Sequence, residues 1–144
     1  MEIVEIKKAE IAKIKVLWEE LNAYHRERST HFKAHFASFT FEKRIEKLQV
    51  KDQLVIYAAE IDSELVGYCI ATVKGKIGEI DSLYIQKEYR GDNLGRKLTE
   101  KALSWLNKFE CDEIYVYVAE GTEPVLPFYE TLGFRERYRV LQIR

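Results

Sequence analysis

Proline is scarce in this chain, with two among 144 residues, and glycine stands at seven. So little of either leaves no room for a disordered linker. Cysteine is as rare. Cys69 and Cys111 lie far apart, outside any C-x-x-C spacing. Each adjoins an apolar run, so buried reduced thiols are expected rather than a disulfide. An excess of either charge is missing too. Lys+Arg number 23 against 24 Asp+Glu, a net charge of −1. That balance speaks against a basic nucleic-acid binder and against a polybasic membrane binder. No apolar run approaches the roughly 20 residues of a membrane span. The opening stretch MEIVEIKKAE lacks the apolar core of a signal peptide. No internal repeat is visible. The expectation is one cytoplasmic domain over residues 1–144, with no nucleic-acid or membrane partner. Apolar residues supply 47% of the chain, enough for a domain of this size to bury a real core without staples.

The pattern along the chain gives the elements. Residues 2–6 read as a short strand. Ile11, Ile14, Leu17, Trp18, Leu21 and Tyr24 recur at steps of three and four, which predicts a helix over 9–25. Residues 26–39 mix Arg, His and Phe without a clean period. Phe41, Ile45 and Leu48 mark a second helix, with Thr40 as its N-cap. Residues 53–59, 65–73 and 77–85 are rich in Val, Ile and Tyr and are separated by turn signals, which predicts an antiparallel meander. Leu98, Ala102, Trp105, Leu106 and Phe109 mark a long helix. A strand over 114–118 follows, then a short helix from Pro124 to Leu132 that Gly133 ends. Phe134–Ile143 reads as a last strand with Arg135, Arg137 and Arg139 on its wet face. The order β-α-α-β-β-β-α-β-α-β predicts an α+β layered fold, with helices on both faces of a mixed, mostly antiparallel sheet.

The loop from Arg90 to Arg96 is the most informative stretch. Gly91, Asn93 and Gly95 lead the chain into a helix N-terminus, where free N–H groups and the dipole favour an anion such as a pyrophosphate. The alternative is an ordinary turn. Residues 87–101 carry five Lys/Arg against three Asp/Glu, a local bias the net charge hides. Arg96-Lys97 after Gly95 rules out a P-loop, and the dinucleotide fingerprint is absent.

Leu83-Tyr84-Ile85 followed by Tyr89 to Leu98 resembles the acetyl-CoA-binding motif, [Q/R]-x-x-G-x-[G/A], of the GNAT (Gcn5-related) N-acetyltransferases. Phe128-Tyr129-Glu130-Thr131-Leu132-Gly133-Phe134 is similar to that family's later F/L-Y-x-x-x-G-F signature. The two stand in the family's order within residues 77–134, and residues 1–76 match by layout only. The resemblance implies the GNAT fold and acetyl transfer from acetyl-CoA to a primary amine of a small molecule or peptide. A non-catalytic acyl-CoA-binding module of the same fold is the alternative. Homodimers are common in the family, and the last strand offers an edge or an interface for one.

The resemblance also implies roles. Backbone N–H groups across Arg90, Gly91, Asp92, Asn93, Leu94, Gly95 and Arg96 would hold the pyrophosphate. Leu83, Tyr84 and Ile85 would meet the pantetheine arm, with Phe128 beside it. Tyr129 stands at the general-acid position. Two residues depart from the pattern. Asn93 replaces a glycine, and Asn is the next best residue at φ > 0. Thr122 replaces an Asn that contacts the pantetheine arm, and is expected to cap the short helix.

Glu79 and Asp81 are the candidate bases for taking the amine's proton. Two apart, they share a face if the strand is regular. Either could instead be a solvated edge carboxylate. The segment 24–39 is expected over the acceptor end of the groove, with Tyr24, His25, His31, Phe32, His35 and Phe36 as acceptor-site candidates. A surface segment whose phenylalanines plug the core is the other reading. Arg26, Arg28 and Lys33 would favour an acceptor with a carboxylate if they face inward. His31 and His35 are spaced i, i+4, but no third ligand stands out, and no metal is expected.

Overall fold

A computed structural model describes residues 1–144. Five strands form one sheet in the order β1-β2-β3-β4-β5: Glu2–Ile6, Gln53–Ile61, Glu64–Lys74, Ile77–Ile85 and Glu113–Val116. β1 to β4 pair antiparallel and β4–β5 parallel. The helices are α1 (Lys15–Arg28), α2 (Lys33–Ser38), α3 (Phe41–Gln49), α4 (Leu94–Asn107) and α5 (Leu126–Thr131). Short 3-10 turns precede α1 and α5. No helix is long and apolar enough to cross a membrane.

Period-two alternation makes the sheet two-faced. Val55, Tyr57 and Ala59 of β2 lie on the face that Leu94, Leu98, Ala102 and Leu106 of α4 cover. Ile56 and Ala58 lie on the other, beneath Leu17 and Trp18 of α1 and Phe41 and Leu48 of α3. The expected mixed sheet between helical layers is therefore present. Its meander turns are tight. Asp62 and Ser63, at φ 50° and 66°, connect β2 to β3. Thr40 caps α3 as expected, its side chain accepting from the Lys43 N–H at 3.2 Å.

Two expectations are corrected. The unperiodic segment holds a helix of its own, so three helices rather than two separate β1 from β2. Its signal is masked because both sides of α2 meet rings or solvent rather than one core face. The predicted last strand, 134–143, is not a strand. Its alternation is real, but a strand exists through its ladder, and this segment pairs with no edge. Val140, Leu141 and Ile143 stay exposed. Arg137 reaches Glu113 at 3.6 Å and touches the Tyr115 hydroxyl.

Candidate active site

β4 and β5 pair only from Ile77↔Glu113 to Ile80↔Val116. Beyond that point β4 runs on to Ile85 while residues 117–119 leave the sheet, and a groove of about 880 Å³ opens between them. Strand register sets the groove's polarity. The Gln86 N–H donates back to the Val66 carbonyl of β3 at 2.9 Å. Ile85, and by alternation Leu83, therefore turn their backbone groups to the open side. The Ile85 carbonyl there accepts from Arg90 Nε at 2.8 Å. The Leu83 backbone groups and the Ile85 N–H thus face an extended ligand along the open edge, with Arg90 on the Ile85 carbonyl.

The glycine loop closes one end. Asn93 sits at φ 60°, ψ 20°, the left-handed conformation expected of it, and delivers the chain into α4. Gly91 is at φ 101°. Backbone N–H groups from Gly91 through Arg96 donate to nothing else in the chain. The first α4 bond runs from the Lys97 N–H to the Asn93 carbonyl at 2.9 Å. Six free donors at the positive end of a 14-residue helix fit a pyrophosphate. Arg96 is held at the rim by Glu100 at 2.8 Å and Thr131 at 3.0 Å. Gly91, Asn93, Leu94 and Gly95 line the groove together with Leu83, Tyr84, Ile85, Arg90, Arg96, Thr122 and Phe128; Asp92 does not.

Tyr129 lines the same groove from α5, packed edge-on between Phe128 and Phe134. Burial pushes its phenol well above the ordinary range, so it keeps its proton at neutral pH. Thr122 is buried here, but its hydroxyl donates to the Ala119 carbonyl at 2.7 Å and caps no helix.

The two candidate bases part company. The pairs Ile70↔Ser82 and Ala71↔Ile80 leave Asp81 as an extra residue, a β-bulge in β4. It lies just past the last β4–β5 pair and lines the groove. Glu79 lies in the closed part of the sheet, opposite Tyr115, and does not line the groove. Its carboxylate meets Lys51 at 3.2 Å. The strand is not regular, so spacing of two did not give two equivalent carboxylates. Asp81 accepts from Thr72 Oγ1 at 2.5 Å, with Arg44 at 3.8 Å and Lys51 at 3.9 Å. Its bulged carbonyl accepts from Arg44 Nη2 at 2.7 Å. Burial, and then repulsion from Glu79, push the Asp81 carboxyl up to about 7 despite these cations.

Tyr24, His25, His35 and Phe36 line the far end of the groove; His31 and Phe32 do not. The chain between α1 and α2 is seated on Glu120, whose carboxylate accepts from the Thr30 and His31 N–H groups at 2.9 and 2.8 Å. These bonds hold His31 by its backbone, and α2 starts only at Lys33, so His31 and His35 do not share a helical turn. The sequence reading missed Arg44, Lys47 and Phe39 on this wall and the Lys51 tether behind it. The spacing of Arg44 and Lys47 on α3, one helical turn apart, is the signal that could have found them.

The strand edge and the helix start that the two motifs point to thus meet in one groove, and the acetyltransferase (GNAT) family model matches residues 15–134. The chain belongs to the GNAT acetyltransferase family. A mycothiol acetyltransferase of Thermobispora bispora is 33% identical over 106 residues, covering 67% of this chain and 36% of that protein. An N-alpha-acetyltransferase of Sulfurisphaera tokodaii is 24% identical over 97 residues, covering 58% of each. The chain thus spans between about a third and three fifths of the length of these relatives. A solved aminoglycoside N-acetyltransferase in complex with CoA has the same GNAT fold, with a TM-score of 0.71 at 16% identity over 99% of this chain and 98% of that one.

Proposed function

We propose that this GNAT protein transfers the acetyl group of acetyl-CoA to a primary amine, by direct attack with both substrates in the groove. The observation that carries this is the split of β4 from β5 between the free N–H groups of the loop and Tyr129. Acetyl-CoA supplies an activated acetyl thioester; the chain supplies position and proton traffic. The N–H groups from Gly91 to Arg96 hold the pyrophosphate. The open edge at Leu83 and Ile85 holds the pantetheine arm as an added strand, and a backbone N–H of that edge steadies the thioester oxygen.

Asp81 is the base. Its carboxyl, raised to about 7, takes the amine's proton directly or through one water, at a pKa suited to neutral pH. As the C–N bond forms and the C–S bond breaks, the Tyr129 hydroxyl donates to the departing sulfur. Its raised pKa makes full proton transfer uphill, so a hydrogen bond during departure is its contribution. Arg44 positions Asp81 through the bulged carbonyl.

The test combines binding and turnover. Acetyl-CoA raises the melting temperature, as a native-state ligand does, and amines release CoA thiol. Tyr129→Phe lowers kcat by about 10- to 1000-fold with acetyl-CoA affinity unchanged. Unchanged turnover in that variant would remove Tyr129 from the reaction. No thermal shift at millimolar acetyl-CoA would overturn the whole reading. A shift with no release from any amine would favour a binding module.

A further inference from the structure

The acceptor end of the groove has a composition that selects a class of amine. One wall is a run of rings. His25 stacks on Phe36 with centroids 5.4 Å apart, Phe36 meets His35 edge-on at 5.0 Å, His35 stacks on Phe39 at 5.4 Å, and Phe39 meets Trp18 at 5.8 Å. This wall is built rather than draped. Asn22 Nδ2 donates to the Phe36 and Phe39 carbonyls at 2.8 and 3.3 Å, tying α2 to α1. Within the wall, His25 Nδ1 is buried and has no partner.

Beside the rings, at the Phe39 end, the lining is cationic. Arg44 spends only Nη2 on Asp81, so Nε and Nη1 remain free. The Lys47 ammonium lies 5.1 Å from the Phe39 ring centroid and pairs with no carboxylate. Asp81 is the sole carboxylate on the whole groove wall. Arg26, Arg28 and Lys33, the cations the sequence pointed to, do not line the groove. The Lys33 ammonium is used on the Arg26 and Glu27 carbonyls. A polycationic acceptor would meet the unpaired Lys47 ammonium and a single carboxyl that Arg44 already faces, which is unfavourable. An acceptor whose ammonium and carboxylate sit on one carbon meets the reverse. Arg44 Nη2 and Asp81 Oδ1 stand 3.8 Å apart, so an ammonium at Asp81 puts the adjacent carboxylate beside the guanidinium.

Taking the acetyl transfer proposed above as given, we propose that the acceptor is a free α-amino acid with an aromatic or apolar side chain. Arg44 and Lys47 hold its carboxylate, and the α1–α2 ring wall holds its side chain. Arg44 has N–H donors left at Nε and Nη1 for a charge-assisted hydrogen bond to a carboxylate. Flat side chains find edge and face contacts on the rings.

The experiment follows CoA thiol release with phenylalanine, tyrosine and leucine, with their carboxamides, and with spermidine and kanamycin. Acetyl-CoA binding is measured separately by thermal shift. The free amino acids exceed their amides by at least roughly tenfold in kcat/KM, the range expected for a charge-assisted hydrogen bond. Spermidine and kanamycin give less turnover than either. Lys47→Ala, which breaks no bond to Asp81, narrows the acid-to-amide ratio to within about threefold with acetyl-CoA binding unchanged. Amides that equal or exceed the acids, or a preference for the polyamine or aminoglycoside, overturn the proposal and leave acetyl transfer standing. So does binding of acetyl-CoA with release from none of the amino acids. Failure to bind acetyl-CoA removes the underlying function instead.

Discussion

Asp81→Asn should make the protein more stable and nearly inactive at the same pH. The Asp81 carboxyl titrates from the ordinary value of 3.8 up to about 7 in the folded chain, chiefly because it is buried, and secondarily because Glu79 repels its charge. A raised carboxyl binds its proton more tightly folded than unfolded. Its contribution to stability is therefore fully present below about pH 4 and is lost as pH rises through about 7. Between pH 5 and pH 8 the wild-type protein loses roughly 2–3 kcal/mol from this group alone. Asparagine cannot ionise, and its side-chain oxygen can still accept from Thr72 Oγ1. The variant escapes the loss. Its stability advantage over wild type should grow by roughly 2–3 kcal/mol from pH 5 to pH 8, or about 5–10 °C in melting temperature at this size. Urea titrations of both proteins at the two pH values measure it. In parallel, wild-type kcat/KM rises with pH through a limb near 7, and the variant lacks that limb. A stability gap that stays constant between pH 5 and 8 would refute the raised carboxyl. A variant that keeps the limb would refute Asp81 as the base.

Two backbone predictions test the groove's ends. Asn93 sits at φ 60°, a conformation that costs a β-branched residue about 1–2 kcal/mol. Asn93→Gly retains acetyl-CoA binding, whereas Asn93→Val weakens it roughly tenfold by titration calorimetry; equal affinity in the two variants would mean that loop shape does not govern binding. Gly121 is at φ 91°, and a Cβ there would stand 2.2 Å from the Arg28 carbonyl oxygen. Neither backbone can yield, so Gly121→Ala should cost about 3 kcal/mol and loosen Glu120 from the α1–α2 chain; an unchanged melting temperature would show that the approach is not tight.

Much of the fold was legible because it rests on local periodicity. The meander, the α4 face of Leu98, Ala102 and Leu106, and the Thr40 cap each follow from residues close in sequence. The left-handed Asn93 was legible because few residues tolerate that conformation. The segment 134–143 misled because alternation is necessary for a strand but an edge to pair with is not written in it. The short helix α2 stayed hidden because its rings face a groove, not a core, and so carry no single apolar stripe.

The sequence by itself determined the chemistry on offer: a helix start ready for an anion, a tyrosine seven residues after Thr122, and two carboxylates on one strand. Only the tertiary structure put those carboxylates in different places. One extra residue in β4 carries Asp81 past the last β4–β5 pair into the groove and leaves Glu79 in the closed sheet. It also brings Arg44 and Lys51, from α3 and the turn that follows it, against that bulge. Register between strands and the approach of a helix from elsewhere in the chain are long-range outcomes of packing, and no local spacing encodes them.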